Sequence, residues 1–104
     1  MSDEIASPEE VIKSLKEALE KTGIIIETPY YVFALYEVNP DKWKQVQYVF
    51  DEKEGYIEEI NVRRAILYLI EEVSKSLITL EKGDWNVILS EAELEEIISK
   101  IKSG

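Results

Sequence analysis

The chain has 104 residues, of which 45% are hydrophobic and 33% are charged, and its formal net charge is −10 at pH 7. That length fits one domain of ordinary size, and the negative charge disfavours direct binding to nucleic acid or to anionic membranes, which requires lysine- and arginine-rich surfaces. Cysteine and histidine are both absent, which excludes disulfides, thiolate catalysis, histidine-dependent triads and the commonest metal ligands.

The composition, the length of the apolar runs and the first residues together indicate where in the cell the protein is expected. Glutamate and lysine dominate the charges and isoleucine is plentiful, a thermophile-like composition. The apolar runs are far shorter than the roughly 18–20 residues that span a membrane. The acidic segment Met1–Ser7 lacks the apolar core of a signal peptide. We therefore expect a cytoplasmic location.

The first predicted element is an amphipathic helix. We assign residues 1–6 to a flexible N-terminus, after which Ser7-Pro8-Glu9-Glu10 reads as a helix start with a serine cap, a proline in the first turn and a glutamate three residues after the cap. Lys21-Thr22-Gly23 ends the helix. Its apolar face consists of Val11, Ile12, Leu15 and Leu19.

A series of strands follows. Ile24–Ile26 is β-branched throughout and predicts a short strand. Tyr30–Val38, Trp43–Phe50 and Tyr56–Ile60 are separated by turn-forming residues and predict an antiparallel meander of about three strands. The first of these three strands is apolar or aromatic on both sides, so it is either covered on both faces or has one face reserved for another chain.

The stretch from Asn61 to Gly83 predicts one long helix. Asn61 suits its N-cap and Gly83 its C-terminal end. Its apolar positions are wide enough to predict packing against a broad surface such as a sheet. The central positions are Val62, Ile66, Leu69, Val73, Leu77 and Leu80, widened by Ala65, Leu67, Ile70 and Ile78.

The chain ends with a short strand and a helix. Asp84–Leu89 predicts the strand, and Ser90–Glu93 forms a second capping pattern before apolar residues at helical spacing, Leu94, Ile97, Ile98 and Ile101. We place residues 103–104 in a flexible C-terminus and residues 7–102 in a single α+β domain. The expected architecture packs the helices on one face of the sheet.

The aromatic residues provide the candidate interaction site. Seven of the ten aromatics fall in the predicted hairpin from Tyr30 to Phe50. Tyrosine and tryptophan are enriched where proteins meet, and helices on one face would leave the other face exposed. Equally, these side chains could form the core. The predicted interface residues are Tyr31, Phe33, Leu35, Tyr36, Trp43 and Tyr48.

Charged residues offer two further hypotheses. Glu58-Glu59 and Glu71-Glu72 could converge on a magnesium ion, although adjacent acids on a strand point to opposite faces, and a solvated surface is the favoured interpretation. Arg63-Arg64, the only arginines, could clamp an anion. The favoured interpretation is a salt bridge to Glu58, Glu59 or the acidic 51–54 turn.

These observations predict a small acidic protein-interaction module, an adaptor or regulatory subunit that self-associates as a homodimer through the aromatic hairpin and also suits a basic protein partner. The first alternative is an acidic inhibitor or nucleic-acid mimic, of mobile-element or viral type, that binds a basic nucleic-acid-binding protein. The second alternative is a metal-dependent enzyme that uses carboxylates. We predict no enzymatic activity, no cofactor, and no catalytic, cofactor-binding or metal-binding residues.

Overall fold

The computed structural model describes residues 4–79 and 85–103. The elements follow in the order β1 (Glu4–Ala6), α1 (Pro8–Glu20), β2 (Ile24–Glu27), β3 (Tyr31–Asn39), β4 (Lys42–Val49), β5 (Glu54–Ile60), α2 (Val62–Thr79), β6 (Asn86–Val87) and α3 (Glu91–Ser103). All strand pairs are antiparallel, in the spatial order β1-β5-β4-β3-β2-β6. The predicted α+β class and order of elements are confirmed.

The sheet is larger than the sequence predicts, with six strands in the described residues. The additional edge strand is β1, which pairs with β5 through Ile5 and Tyr56 and lies in the segment assigned to a flexible N-terminus. At the other end, α3 includes Ser103, which was also assigned to a flexible terminus. The predicted end of the long helix at Gly83 lies outside the described residues.

Helices cover both faces of the sheet, which corrects the prediction that they pack on one face. On one side α1 and α3 enclose a core with Val32, Ala34, Tyr36, Val46 and Tyr48 of the strands. On the other side α2 packs on a core that includes Phe33 and Leu35 of β3. The physical reason is that β3 is apolar on both sides, so each face requires its own cover. In the described residues, no helix is long and apolar enough to cross a membrane.

Side-chain caps fix where the helices begin. The Ser7 hydroxyl accepts a hydrogen bond from the Glu10 N–H (3.2 Å), and the Glu10 carboxylate accepts one from the Ser7 N–H (2.9 Å), so the predicted capping box forms. Asn61 caps α2 by accepting from the Arg64 N–H at 2.9 Å. Because Asn61 alone separates β5 from α2, this cap sets the direction in which α2 leaves the sheet.

Gly23 packs closely against the backbone of β3, with no room for a side chain. A Cβ at this position would lie 2.5 Å from Tyr36 Cβ and 2.6 Å from the Leu35 carbonyl oxygen. Because backbone atoms cannot give way as side chains can, Gly23→Ala should lower the free energy of unfolding by about 1–3 kcal/mol in urea denaturation. Lys21→Ala, an exposed change at the end of the same helix, is the control. Equal stability of the two variants would contradict the close packing.

Candidate interaction surface

One side of α2 contacts the sheet through residues at helical spacing. These residues are Ala65, Tyr68, Leu69 and Glu72, which lie three, one and three positions apart. Ala65 and Glu72 are buried. The Tyr68 ring lies 6.5 Å from the Phe33 ring of β3, between centroids. This contact side therefore includes a small residue and a carboxylate as well as larger apolar groups.

A buried carboxylate on β5 holds the first half of α2. The Tyr68 hydroxyl donates a 2.8 Å hydrogen bond to Glu58, which is 8% exposed. Arg64 lies 3.7 Å from the other oxygen of the same carboxylate and 5.5 Å from the Tyr68 ring centroid. The negative charge of Glu58 is thus compensated by a cation and satisfied by a hydroxyl donor.

A second carboxylate holds the other half of the helix. Glu72, 2% exposed, accepts a 2.9 Å hydrogen bond from the Tyr31 hydroxyl of β3 and forms a 3.2 Å salt bridge with Lys75. Burial, and then the hydrogen bond to Glu72, raises the pKa of the Tyr31 hydroxyl. Because both carboxylates need these tyrosine donors, they fix the rotation of α2 about its axis.

The most apolar side of α2 is exposed to solvent and does not pack on the sheet. The exposed residues Val62, Ile66, Ile70, Val73 and Leu77, the outer stripe, are 38–67% accessible. At 3.6 residues per turn, they lie roughly 110° around the helix axis from the residues that contact the sheet. The sequence correctly predicts a helix that is apolar over a wide side. The prediction that this whole side packs against the sheet is wrong for the outer stripe, which is exposed.

The outer stripe groups half of the exposed large hydrophobic side chains of the described residues. Together with the adjacent Leu67, it exposes on the order of 500 Å² of apolar surface, near the upper limit for the largest patch on a typical monomer. The other exposed large hydrophobic residues of the described chain are scattered or single, as at Ile5, Tyr30 and Leu89. The largest apolar patch on a monomer is often functional, so the outer stripe is a candidate interaction surface.

The predicted interface residues occupy a different place. Phe33 and Leu35 are buried beneath α2, whereas Tyr36 and Tyr48 are buried beneath α1 and α3. Tyr31 and Trp43 are half-buried against the α2 core. The structure thus places four of the six side chains in the protein's own core, which corrects their assignment to an exposed face. The cause is the helical cover on both faces of the hairpin.

The carboxylate pairs do not converge. Glu58 and Glu59 lie on opposite faces of β5, and Glu59 forms a 3.4 Å salt bridge with Lys42. Glu58 and Glu72 each have the separate partners described above. Among residues 4–79 and 85–103, no three acidic side chains are grouped so that they could hold a metal ion. The contact between Arg64 and Glu58 matches the favoured interpretation for Arg64.

A cleft of about 650 Å³ lies between α1 and strands β1, β4 and β5. Its lining includes Lys13, Glu17, Lys44 and Glu59. Glu17 accepts a 2.8 Å hydrogen bond from the Tyr36 hydroxyl. Small-molecule sites of this volume are mostly apolar with a few polar groups, whereas this lining mixes charges of both signs. The outer stripe is therefore the stronger candidate site.

The tyrosine–carboxylate contacts predict a specific loss of stability. Tyr31→Phe removes the donor to the buried Glu72 and should lower the free energy of unfolding by about 1–3 kcal/mol. Tyr30→Phe is a matched control, because the adjacent Tyr30 side chain is 65% exposed. Urea denaturation measures both variants. Equal stability would show that the Tyr31 hydroxyl does not contribute to the position of α2.

Tyr36 predicts a pH dependence. Burial, followed by the hydrogen bond to Glu17, raises its pKa above the usual 10.0. The contribution of the Tyr36 hydroxyl to the free energy of unfolding is complete below pH 10. It is lost as the pH rises above 10, because the unfolded chain then releases the tyrosine proton more readily than the folded chain. Tyr36→Phe should therefore lose less stability than wild type between pH 9 and about 11.5. Equal losses, measured by urea denaturation, would contradict this coupling.

Comparison with known proteins adds no relative from which a function could be transferred. No protein-family model, curated protein or solved structure matches this chain.

Proposed function

We propose that this protein is a small acidic interaction module, an adaptor or regulatory subunit, that self-associates through the outer stripe of α2. The observation that carries the proposal is the set of large aliphatic side chains on the exposed side of a helix otherwise anchored to the sheet. Burying this surface against a second copy removes apolar area from water, which is the main favourable term in protein association.

The charge distribution is compatible with self-association. The chain has a formal net charge of −10, which opposes the approach of two copies in general. However, residues 62–79 contain three cations, Arg63, Arg64 and Lys75, and two acids, Glu71 and Glu72. The outer stripe itself contains no ionisable side chain. Two copies that meet along α2 thus avoid direct opposition of their acidic surfaces.

The size of the surface indicates a weak dimer. Two stripes with their flanks would bury about 1,000 Å² in total, the lower limit for a specific interface. A dissociation constant on the order of micromolar is therefore expected. A dissociation constant in this range suits a regulatory module that exchanges between partners. One such partner would be a basic protein that binds the acidic surface outside the outer stripe.

The acidic inhibitor or nucleic-acid mimic has less support. Its basis is the size and charge of the chain, and it requires acids aligned on one surface. Lysines interrupt the acidic residues at three places in the described chain, where Lys42, Lys75 and Lys100 form ion pairs with Glu59, Glu72 and Glu27. For a carboxylate-dependent enzyme, the separate partners of Glu58, Glu59 and Glu72 give no support.

The solution mass tests the proposal. Size exclusion with light scattering at about 10–100 µM, above the expected micromolar dissociation constant, should give about twice the chain mass of 12.0 kDa. Ile66→Lys places a charge within the outer stripe and should weaken the dimer at least about tenfold, because association would bury that charge without a partner.

Ser99→Lys is the matched control for this variant. It makes the same change of charge at an exposed position of another helix, α3, and should leave the dimer intact. Circular dichroism verifies that both variants are folded. A monomeric wild type at the highest concentration, or an unaltered dimer in Ile66→Lys, would contradict self-association through the outer stripe.

A further inference from the structure

We infer that two copies pair through antiparallel α2 helices related by a two-fold axis that passes between residues 69 and 70. This inference rests on the proposed function and adds the geometry and the residue pairs of the interface. It would make the assembly a closed dimer, since a two-fold contact uses the same surface of both copies.

The four outer positions of the outer stripe are symmetric about that axis. Val62 and Leu77 are equidistant from the midpoint between residues 69 and 70, and so are Ile66 and Val73. Ile70 lies half a residue from the midpoint, so the two Ile70 side chains would lie next to each other near the axis. A two-fold contact requires such self-complementarity, because each residue on one side of the axis must meet the equivalent residue from the other side. A different protein partner would impose no symmetry on the positions.

The sizes of the paired side chains also match. Val62 would lie opposite Leu77 of the second copy, and Ile66 opposite Val73 of the second copy. Each layer therefore combines a smaller with a larger aliphatic side chain, the alternation that lets facing layers fill space without voids. In a parallel pair, Val62 would instead meet Val62 and Leu77 would meet Leu77, which gives one narrow and one wide layer.

The charged residue beside the outer stripe is compatible with the antiparallel arrangement. Arg63 is exposed in the first turn of α2. Its equivalent in the second copy would lie about 20 Å away along the axis, beyond the screening length of about 8–10 Å at moderate salt. A parallel pair would place the two Arg63 side chains together and align the helix dipoles unfavourably.

Single-cysteine variants test this geometry. The chain contains no cysteine of its own, so any disulfide must form between the introduced cysteines. Ile70→Cys should form a disulfide-linked dimer under mild oxidation, since the two α carbons at the axis can approach within the roughly 7 Å that a disulfide allows. Val62→Cys should not link to itself, because its two copies would lie about 22 Å apart along the axis. Mixing Val62→Cys with Leu77→Cys should instead link the two variants to each other.

Ser99→Cys, exposed on α3, measures linking by random collision. The disulfide-linked fraction of Ile70→Cys and that of the mixed pair should each be at least about tenfold higher than that of Ser99→Cys, because the paired cysteines would lie within disulfide reach. Self-linking of Val62→Cys, or a mixed pair that links no better than Ser99→Cys, would overturn the antiparallel inference. Light scattering of the wild type and of the same variants before oxidation distinguishes failure of the antiparallel geometry from failure of the proposed function. If the mass is that of a dimer but the cysteines do not link as expected, only the antiparallel geometry is overturned. If the wild type is a monomer, both the geometry and the proposed function are overturned.

Discussion

The rotation of α2 on the sheet depends on two hydrogen bonds from tyrosine to glutamate. Tyr68 donates to Glu58 and Tyr31 donates to Glu72, and both carboxylates are buried. Turning the helix by one residue would separate these pairs and leave buried charged groups without donors, which is costly in a low-dielectric interior. The same rotation decides which side chains face solvent, so the outer stripe is a consequence of polar contacts beneath the helix.

The two helical layers differ in chemistry. The α1–α3 layer closes over an almost wholly apolar core. By contrast, three of the four buried polar or charged residues of the described chain, Gln45, Glu58 and Glu72, lie on the α2 side. Of these, Glu58 and Glu72 accept hydrogen bonds from tyrosines, and buried hydrogen-bonded groups specify one arrangement more than they add stability. We infer that the α1–α3 layer stabilises the fold, whereas the α2 layer defines a surface.

Local signals in the sequence predicted much of the fold, whereas the site depended on contacts that they do not encode. The Ser7 capping box and Asn61 marked the starts of their helices because capping uses neighbouring residues. Strand β1 escaped prediction because three residues are too few to show a period. The apolar pattern of α2 was visible, but choosing its buried side required Glu58 and Tyr31, which are distant in sequence. Buried aromatics such as Phe33 were assigned to a surface because periodicity cannot reveal a second helical layer.

The acidic charge and the apolar stripe are parts of one arrangement. Acids are placed where the backbone favours them, in the first turns of α1 and α3 and in the turn before β5. At the end of the chain, the Leu89 N–H donates to Glu93 and lowers the pKa of that carboxyl, so its charge persists to lower pH. The net charge of −10 opposes the approach of two copies in general, and the outer stripe contains no ionisable side chain. The contact proposed along α2 can therefore be specific although it is weak, because the net negative charge of two copies opposes other contacts between them.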